Sequence, residues 1–230
     1  MHLLAGLLSV AVVGTQLVSS DPLPSRTADG RVHVDAAGSG ARDSAAARRR
    51  ARLARPYLGE VLRQRDSVIE RWPERVANPI RVWIAPSPKQ LSGWDPAFPA
   101  SVRSAFQGWQ GSGVPVRFAF IDDSARAEVR VRWVSRFKTD ESGRTVWWSN
   151  TRSWITKADI TLATHASDGA TQDAESLRAV ALHEVGHLLG LDHCADSGNV
   201  MAAWVEVADL SDADRATARA LYALPAGRVR

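Results

Sequence analysis

The chain is poor in cysteine, lysine and long apolar runs, and each shortage excludes something. Cys194 is the single cysteine among 230 residues, so no intramolecular disulfide can form. It lies far from the N-terminus, which also excludes a lipoprotein anchor. Lysine occurs only at Lys89, Lys138 and Lys157, so the net charge of +4 and the pI near 9.8 rest on arginine. The longest apolar run, Leu3 to Val18, is interrupted by Gly6, Gly14, Thr15 and Gln16 and is short for a membrane span. Residues 1–20 read instead as a secretory signal, with small residues at Val18-Ser19-Ser20 suited to cleavage. That places the protein outside the cell or in the cell envelope or periplasm. No Lys or Arg precedes the run, only His2, so an uncleaved signal-anchor is the second reading, and membrane contact is expected only in that case.

Residues 21–54 are rich in Ala, Gly and Ser and read as a disordered basic linker. The arginine tract Arg42–Arg55 contains no aromatic residue, whereas a nucleic-acid surface would interleave the two or set the charge on a recognition helix. No nucleic-acid partner is expected. The tract reads as a solvated linker, with an anionic envelope surface as the other reading. What remains is long enough for one well-buried domain and too short for two large ones.

The informative stretch is HEVGHLLGLDH, His183 to His193. His183 and His187 are four residues apart, so on a helix they share one face, a turn apart, and can converge on one metal ion. Glu184 projects roughly 100° around that helix, placed to hold a water on the metal without binding the metal itself. Gly190 stands where a helix end favours a left-handed residue. The chain can then turn back so that His193 supplies a third nitrogen. Three ligands leave the fourth zinc position open, the mark of a catalytic rather than a structural site. Ser176 to Leu189 supports the helix, with Leu177, Val180, Ala181, Val185 and Leu188 at helical spacing. Five fixed positions recur by accident on the order of 10⁻⁵ per chain, low enough to set aside two chance histidines on a surface helix.

HEVGHLLGLDH followed by Met201 in SGNVMAA resembles the metzincin pattern, a third histidine and then a Met-turn, and within it the matrixins, the matrix-metalloproteinase type. The segment Phe98–Trp133 is similar to the matrixin opening of helix, strand and second alternating strand, and Leu210–Leu224 to the matrixin C-terminal helix. The resemblance implies an α+β domain over residues 79–226: a twisted five-stranded mixed sheet, an active-site helix and a C-terminal helix. It implies one catalytic Zn²⁺ on His183, His187 and His193, with Met201 as an apolar floor. It implies an endopeptidase in which Glu184 activates the zinc-bound water as general base. The alternative is a zinc-holding, catalytically weak binding protein of the envelope surface; Glu184 argues against it. The substrate is expected as an extended strand along the sheet edge. By position that edge is Thr145 to Asn150, making Trp147 and Trp148 candidate substrate contacts.

The chain departs from the family in several places. After the Met-turn it reads Met201-Ala202-Ala203-Trp204-Val205 in place of Met-Tyr-Pro-x-Tyr, so Trp204 is a candidate for reshaping the substrate pocket. No cysteine switch precedes the domain and no histidine-rich loop lies between Val134 and Thr145, so neither thiol latency nor a second, structural zinc is expected. Cys194 reads as a small residue in a turn rather than a ligand. His33 and His165 are isolated. Asp122, Asp123, Asp140, Glu141 and Asp168 fall in loops without a calcium-motif spacing, leaving Ca²⁺ open but unsupported.

Regular structure is expected at Ile80–Ala85, Val116–Ile121, Ala127–Val134, Thr145–Trp148 and Asp159–Ala163 as strands, and Phe98–Gln110 as a helix. Residues 55–78 are expected to carry an amphipathic helix, Pro56–Arg71, with Leu58, Val61, Leu62, Arg65, Val68, Ile69 and Trp72 on one stripe. It is either a pro-segment over the cleft or a helix packed permanently on the domain.

Overall fold

A computed structural model describes residues 55–229 apart from 89 and 167. The expected signal at 1–20 and the linker at 21–54 lie outside the described residues.

Helix α1 (Leu58–Gln64) is followed by β1 (Val68–Ile69), β2 (Arg75–Ile84), α2 (Phe98–Gln110), β3 (Val116–Phe120), β4 (Val129–Val134), β5 (Gly143–Ser149) and β6 (Ile155–Ala163). Then come α3 (Ala174–Leu188), α4 (Asp212–Ala223) and β7 (Gly227–Arg228). Five strands form one mixed sheet in the order β3-β2-β4-β6-β5. Every pairing in it is parallel except β5 with β6. The class expected from the sequence, α+β with a five-stranded mixed sheet, is the class observed.

The alternation in β4 explains how the sheet is covered. Val129, Val131 and Trp133 are buried while Arg130 and Arg132 face outward, so helices cover one face only. Val102, Ala105, Phe106 and Trp109 of α2 are buried against that face, as their helical spacing requires. Helix α2 also lies against α3, where the Trp109 indole donates to the Leu182 carbonyl at 2.8 Å. Almost every side chain of α3 from Leu177 to Leu188 is buried, so this helix runs through the core rather than over it. Asp173 caps its start, accepting from the Ser176 amide.

Two elements differ from the sequence-based expectation. The helix expected over Pro56–Arg71 is only Leu58–Gln64. Asp66 and Ser67 take φ of 49° and 58°, and two successive left-handed residues end a helix. Val68 and Ile69 then pair antiparallel with Arg228 and Gly227. Their apolar side chains fitted a helical stripe, but the C-terminal strand captures them. The strand expected at Ile80–Ala85 begins earlier, at Arg75, because Arg75 already pairs with Val116. A register irregularity between Arg75 and Ile80 accommodates Pro79, which has no amide hydrogen to give to the ladder.

The C-terminal helix is fixed by a capping box, Ser211 with Asp214. Asp214 does more than cap. Fully buried, it accepts from the Val200 amide at 3.0 Å, the Ser211 amide at 2.9 Å and the Tyr57 hydroxyl at 2.7 Å. Three distant segments meet on one carboxylate. Asp214→Ala would strand three buried donors, each worth about 1–3 kcal/mol when unpaired. Urea unfolding is expected to show a loss of at least about 3 kcal/mol; a loss below about 1 kcal/mol would mean that water replaces the carboxylate.

Candidate active site

Helix α3 carries His183, Glu184 and His187 on consecutive turns and stops at Leu188. Gly190, at φ 98°, lets the chain reverse. The Leu191 amide returns to the Gly186 carbonyl at 3.0 Å and the Gly190 amide to the His187 carbonyl at 2.9 Å, the double bond of a Schellman turn. Another residue type at 190 would also drive its Cβ into the Glu70 carbonyl. The reversal brings His193 back over the helix.

The three imidazoles converge. His187 Nε2 lies 2.9 Å from His183 Nε2, which lies 3.2 Å from His193 Nε2. Among the described residues this trio is the group of three or more potential ligands that could share one metal ion. The other ring nitrogens fix the tautomers. His183 Nδ1 donates to the Val200 carbonyl at 2.7 Å and His187 Nδ1 to the Leu191 carbonyl at 3.1 Å. A carbonyl only accepts, so the proton sits on Nδ1 and the Nε2 lone pair is free. Burial, and then the neighbouring histidines, hold His183 well below the usual imidazole range. Burial does the same for His187 and, less strongly, for His193. Zinc–imidazole bonds of ~2.0–2.1 Å place tetrahedral donors about 3.3 Å apart. Three neutral, close-set Nε2 atoms fit such an ion.

Glu184 follows His183 on α3 and is fully buried. The Thr145 hydroxyl lies 2.6 Å from Glu184 Oε2 and 3.0 Å from the Glu184 carbonyl. Oε1 has no hydrogen-bond partner among the described residues. The carboxylate packs on Gly143 so closely that a Cβ there would stand 2.6 Å from Oε1. Burial pushes the Glu184 carboxyl up to about 8, against the lowering pull of Thr145. Met201 is buried with its sulfur against Gly186, between the two helix histidines.

Cys194 points elsewhere: its thiol contacts the Asp196 carbonyl at 3.6 Å, and burial pushes it up to about 12. It is not part of the histidine trio and reads as a small turn residue. His165 turns to the Ser135 carbonyl. The acidic loop residues are separately engaged: Glu141 is paired with Arg144, Asp123 caps a short turn, and Asp168 binds the Ala170 amide.

The three tryptophans separate. β5 is an edge strand, as its position suggested, but Trp147 and Trp148 alternate across it. Trp147 is 2% exposed, its indole donating to Glu70 at 2.9 Å and its face covered by the Arg65 guanidinium at 4.7 Å. As a substrate contact it is therefore corrected: it is a core residue. Trp148 stacks with Lys157, its β6 partner, on the opposite face of the sheet. Trp204 is 50% exposed and lines a recess of about 390 Å³ with Cys194, Ala195 and Ala202. The sequence did not single out Thr145, Gly143 or Asp192, since nothing in a strand pattern marks a residue that touches a helix sixty positions away or less.

A mixed sheet backed by a helix of two histidines, with a third beyond a glycine turn and a methionine beneath, defines a zincin of the metzincin type. The matrixin family model matches residues 83–223, and the chain belongs to that family. Metalloendoproteinase 1-MMP of Arabidopsis thaliana is 29% identical over 116 residues, covering 43% of this chain and 29% of that protein. The chain thus spans under a third of the length of the curated relative it matches.

The histidines and Glu184 push stability in opposite directions with pH. Below pH 6.5 the unfolded chain protonates His183 and His187 while the metal-free fold resists, so acid removes stability. Glu184, raised from 4.5 to about 8, keeps its proton in the fold, so its contribution grows as pH falls between those values and is lost as pH rises through about 8. Glu184→Gln removes that opposition. Metal-free Glu184→Gln is expected to lose stability more steeply than the wild type between about pH 7 and 5, by up to about 1.4 kcal/mol per pH unit. Equal slopes in urea unfolding would show that burial does not hold a proton on Glu184.

Proposed function

We propose that the chain is a zinc-dependent endopeptidase, with His183, His187 and His193 holding one zinc ion and Glu184 as general base. The observation that carries this is the close trio of Nε2 atoms of His183, His187 and His193, with Glu184 next to His183 on the same helix. Zinc bound there would polarise a peptide carbonyl and make a coordinated water acidic near neutral pH. The rest falls to the protein. Thr145 holds Oε2 by its hydroxyl and so leaves Oε1 to accept the proton of the attacking water. The protonated Glu184 carboxyl would then return that proton to the departing amine. Protein or peptide substrates are expected, laid as an extended strand along β5, whose outer edge pairs with no other strand of the sheet. Trp204 is the aromatic placed to meet a substrate side chain in the recess beside the third histidine. The apolar segment Leu3–Val18 supports a secreted or envelope location, or a signal-anchored one.

Glu184→Gln preserves shape but cannot take a proton at neutral pH. Hydrolysis of an unfolded protein substrate is expected to fall about 10²-fold or more, with zinc content unchanged. Retained cleavage would falsify the assigned base; a wild-type zinc-loaded protein that cleaves no peptide would favour a zinc-holding binding protein.

Thr145→Val removes the hydroxyl at nearly constant volume. A hydrogen bond to a charged group is worth about 1.5–3 kcal/mol, so kcat is expected to drop about tenfold or more with KM little changed, and Thr145→Ser should recover most of it. An unaltered kcat in Thr145→Val would show that Glu184 is held by packing on Gly143 alone.

A further inference from the structure

The segment before the matrixin match grips the loop that carries the third histidine. Four side-chain contacts run from α1 and its C-terminal end to four residues within Leu191–Ala195. Arg65 Nη2 donates to the Leu191 carbonyl at 3.1 Å, and Arg65 Nε to Asp192 Oδ2 at 3.1 Å. Gln64 Nε2 donates to the His193 carbonyl at 2.9 Å, and Glu60 Oε2 accepts from the Ala195 amide at 2.9 Å. Asp192 Oδ1 in turn accepts from the His193 amide at 2.8 Å. Arg65 and Asp192 form an ion pair with both side chains largely buried, at 10% and 6% exposure.

The same arginine lies over Trp147 of the edge strand, and Glu70 holds that indole while also accepting from Ser149. Trp72 donates to the Leu188 carbonyl at 3.0 Å, the last turn of α3. Every one of these bonds to the third-ligand loop ends on backbone or on Asp192, and none ends on an imidazole. A segment that masked the site would press on the ligands from the open side. This one makes none of these bonds to their imidazoles and has Val61, Ile69 and Trp72 fully in the core.

We propose that Tyr57–Trp72 is a permanent strut of the catalytic domain, and that Arg65, acting through Asp192, is a positioning residue for His193. This rests on the zinc reading above. Removing the segment would weaken metal binding, so proteolysis that strips it inactivates the enzyme instead of activating it. Outer residues that orient a ligand commonly change metal affinity by about 10–100-fold.

The test is zinc affinity, measured by competition with a chromogenic chelator in the full chain. Arg65→Gln and Asp192→Asn are each expected to weaken zinc about tenfold or more, and the double variant no further than the weaker single, since both break one linkage. Unchanged affinity in both, even with a lowered melting temperature, would overturn the strut and leave Arg65 a packing residue. Additive losses would overturn the route through Asp192. A chain beginning at Pro73 that folds and binds zinc as tightly as the full chain would overturn it as well; if that chain fails to fold, the point variants decide. Wild-type protein that takes up no zinc would instead sink the metallopeptidase reading, a result distinct from all of these.

Discussion

Three imidazoles, with His183 Nε2 2.9 Å from that of His187 and 3.2 Å from that of His193, form an arrangement that a protein interior does not hold for its own stability. His183 and His187 turn Nε2 lone pairs toward one another, and burial disfavours charging either ring. Everything nearby serves to hold them there. The Val200 and Leu191 carbonyls fix two tautomers, and the left-handed Gly190 fixes where the chain returns. Asp214 then ties Val200, and so His183, to the C-terminal helix and to Tyr57. The cost in polar burial is large, and a cation held by the three nitrogens would offset it.

That constraint explains why α3 is buried on nearly all sides. A ligand pair on a surface helix would meet water from several directions. Here α2 covers one flank, with Trp109 and Met201 against the small Gly186. β5 covers the other, where Gly143 and Thr145 receive Glu184. The absence of a side chain at Gly143 and the hydroxyl at Thr145 are two halves of one fit. The first lets the carboxylate approach the strand, and the second gives it a hydrogen bond there.

The sequence disclosed what repeats locally and hid what depends on tertiary contact. His183, His187 and His193 were legible because an i, i+4 pair and a glycine turn are chain-local geometry. The α2 stripe and the β4 alternation were legible for the same reason, and all found their faces. Pro56–Arg71 misled because Val68 and Ile69 satisfy a helical stripe and a strand equally well. A partner 160 residues away, at Gly227–Arg228, decided between them. Trp147 misled in a similar way: its edge-strand position was right, but nothing local announces that Arg65 and Glu70 enclose it. Thr145 and Asp192 were invisible because a hydroxyl in a strand and a carboxylate in a loop are ordinary until the helix end arrives beside them.

The split between Trp147 and Trp148 bears on how a substrate meets the edge. A strand turns successive side chains to opposite faces, so Thr145 and Trp147 point toward the helix layer while Val146 and Trp148 point away. Thr145 is occupied by Glu184 and Trp147 by Arg65. The helix-side face of β5 is thus fully committed to positioning the site. What β5 has left to offer a peptide is its main chain, which reads extension rather than identity. On the proposed function, side-chain selection would fall to the loop after Met201, where an exposed Trp204 stands between Ala203 and Val205, the positions of the family's proline and second tyrosine.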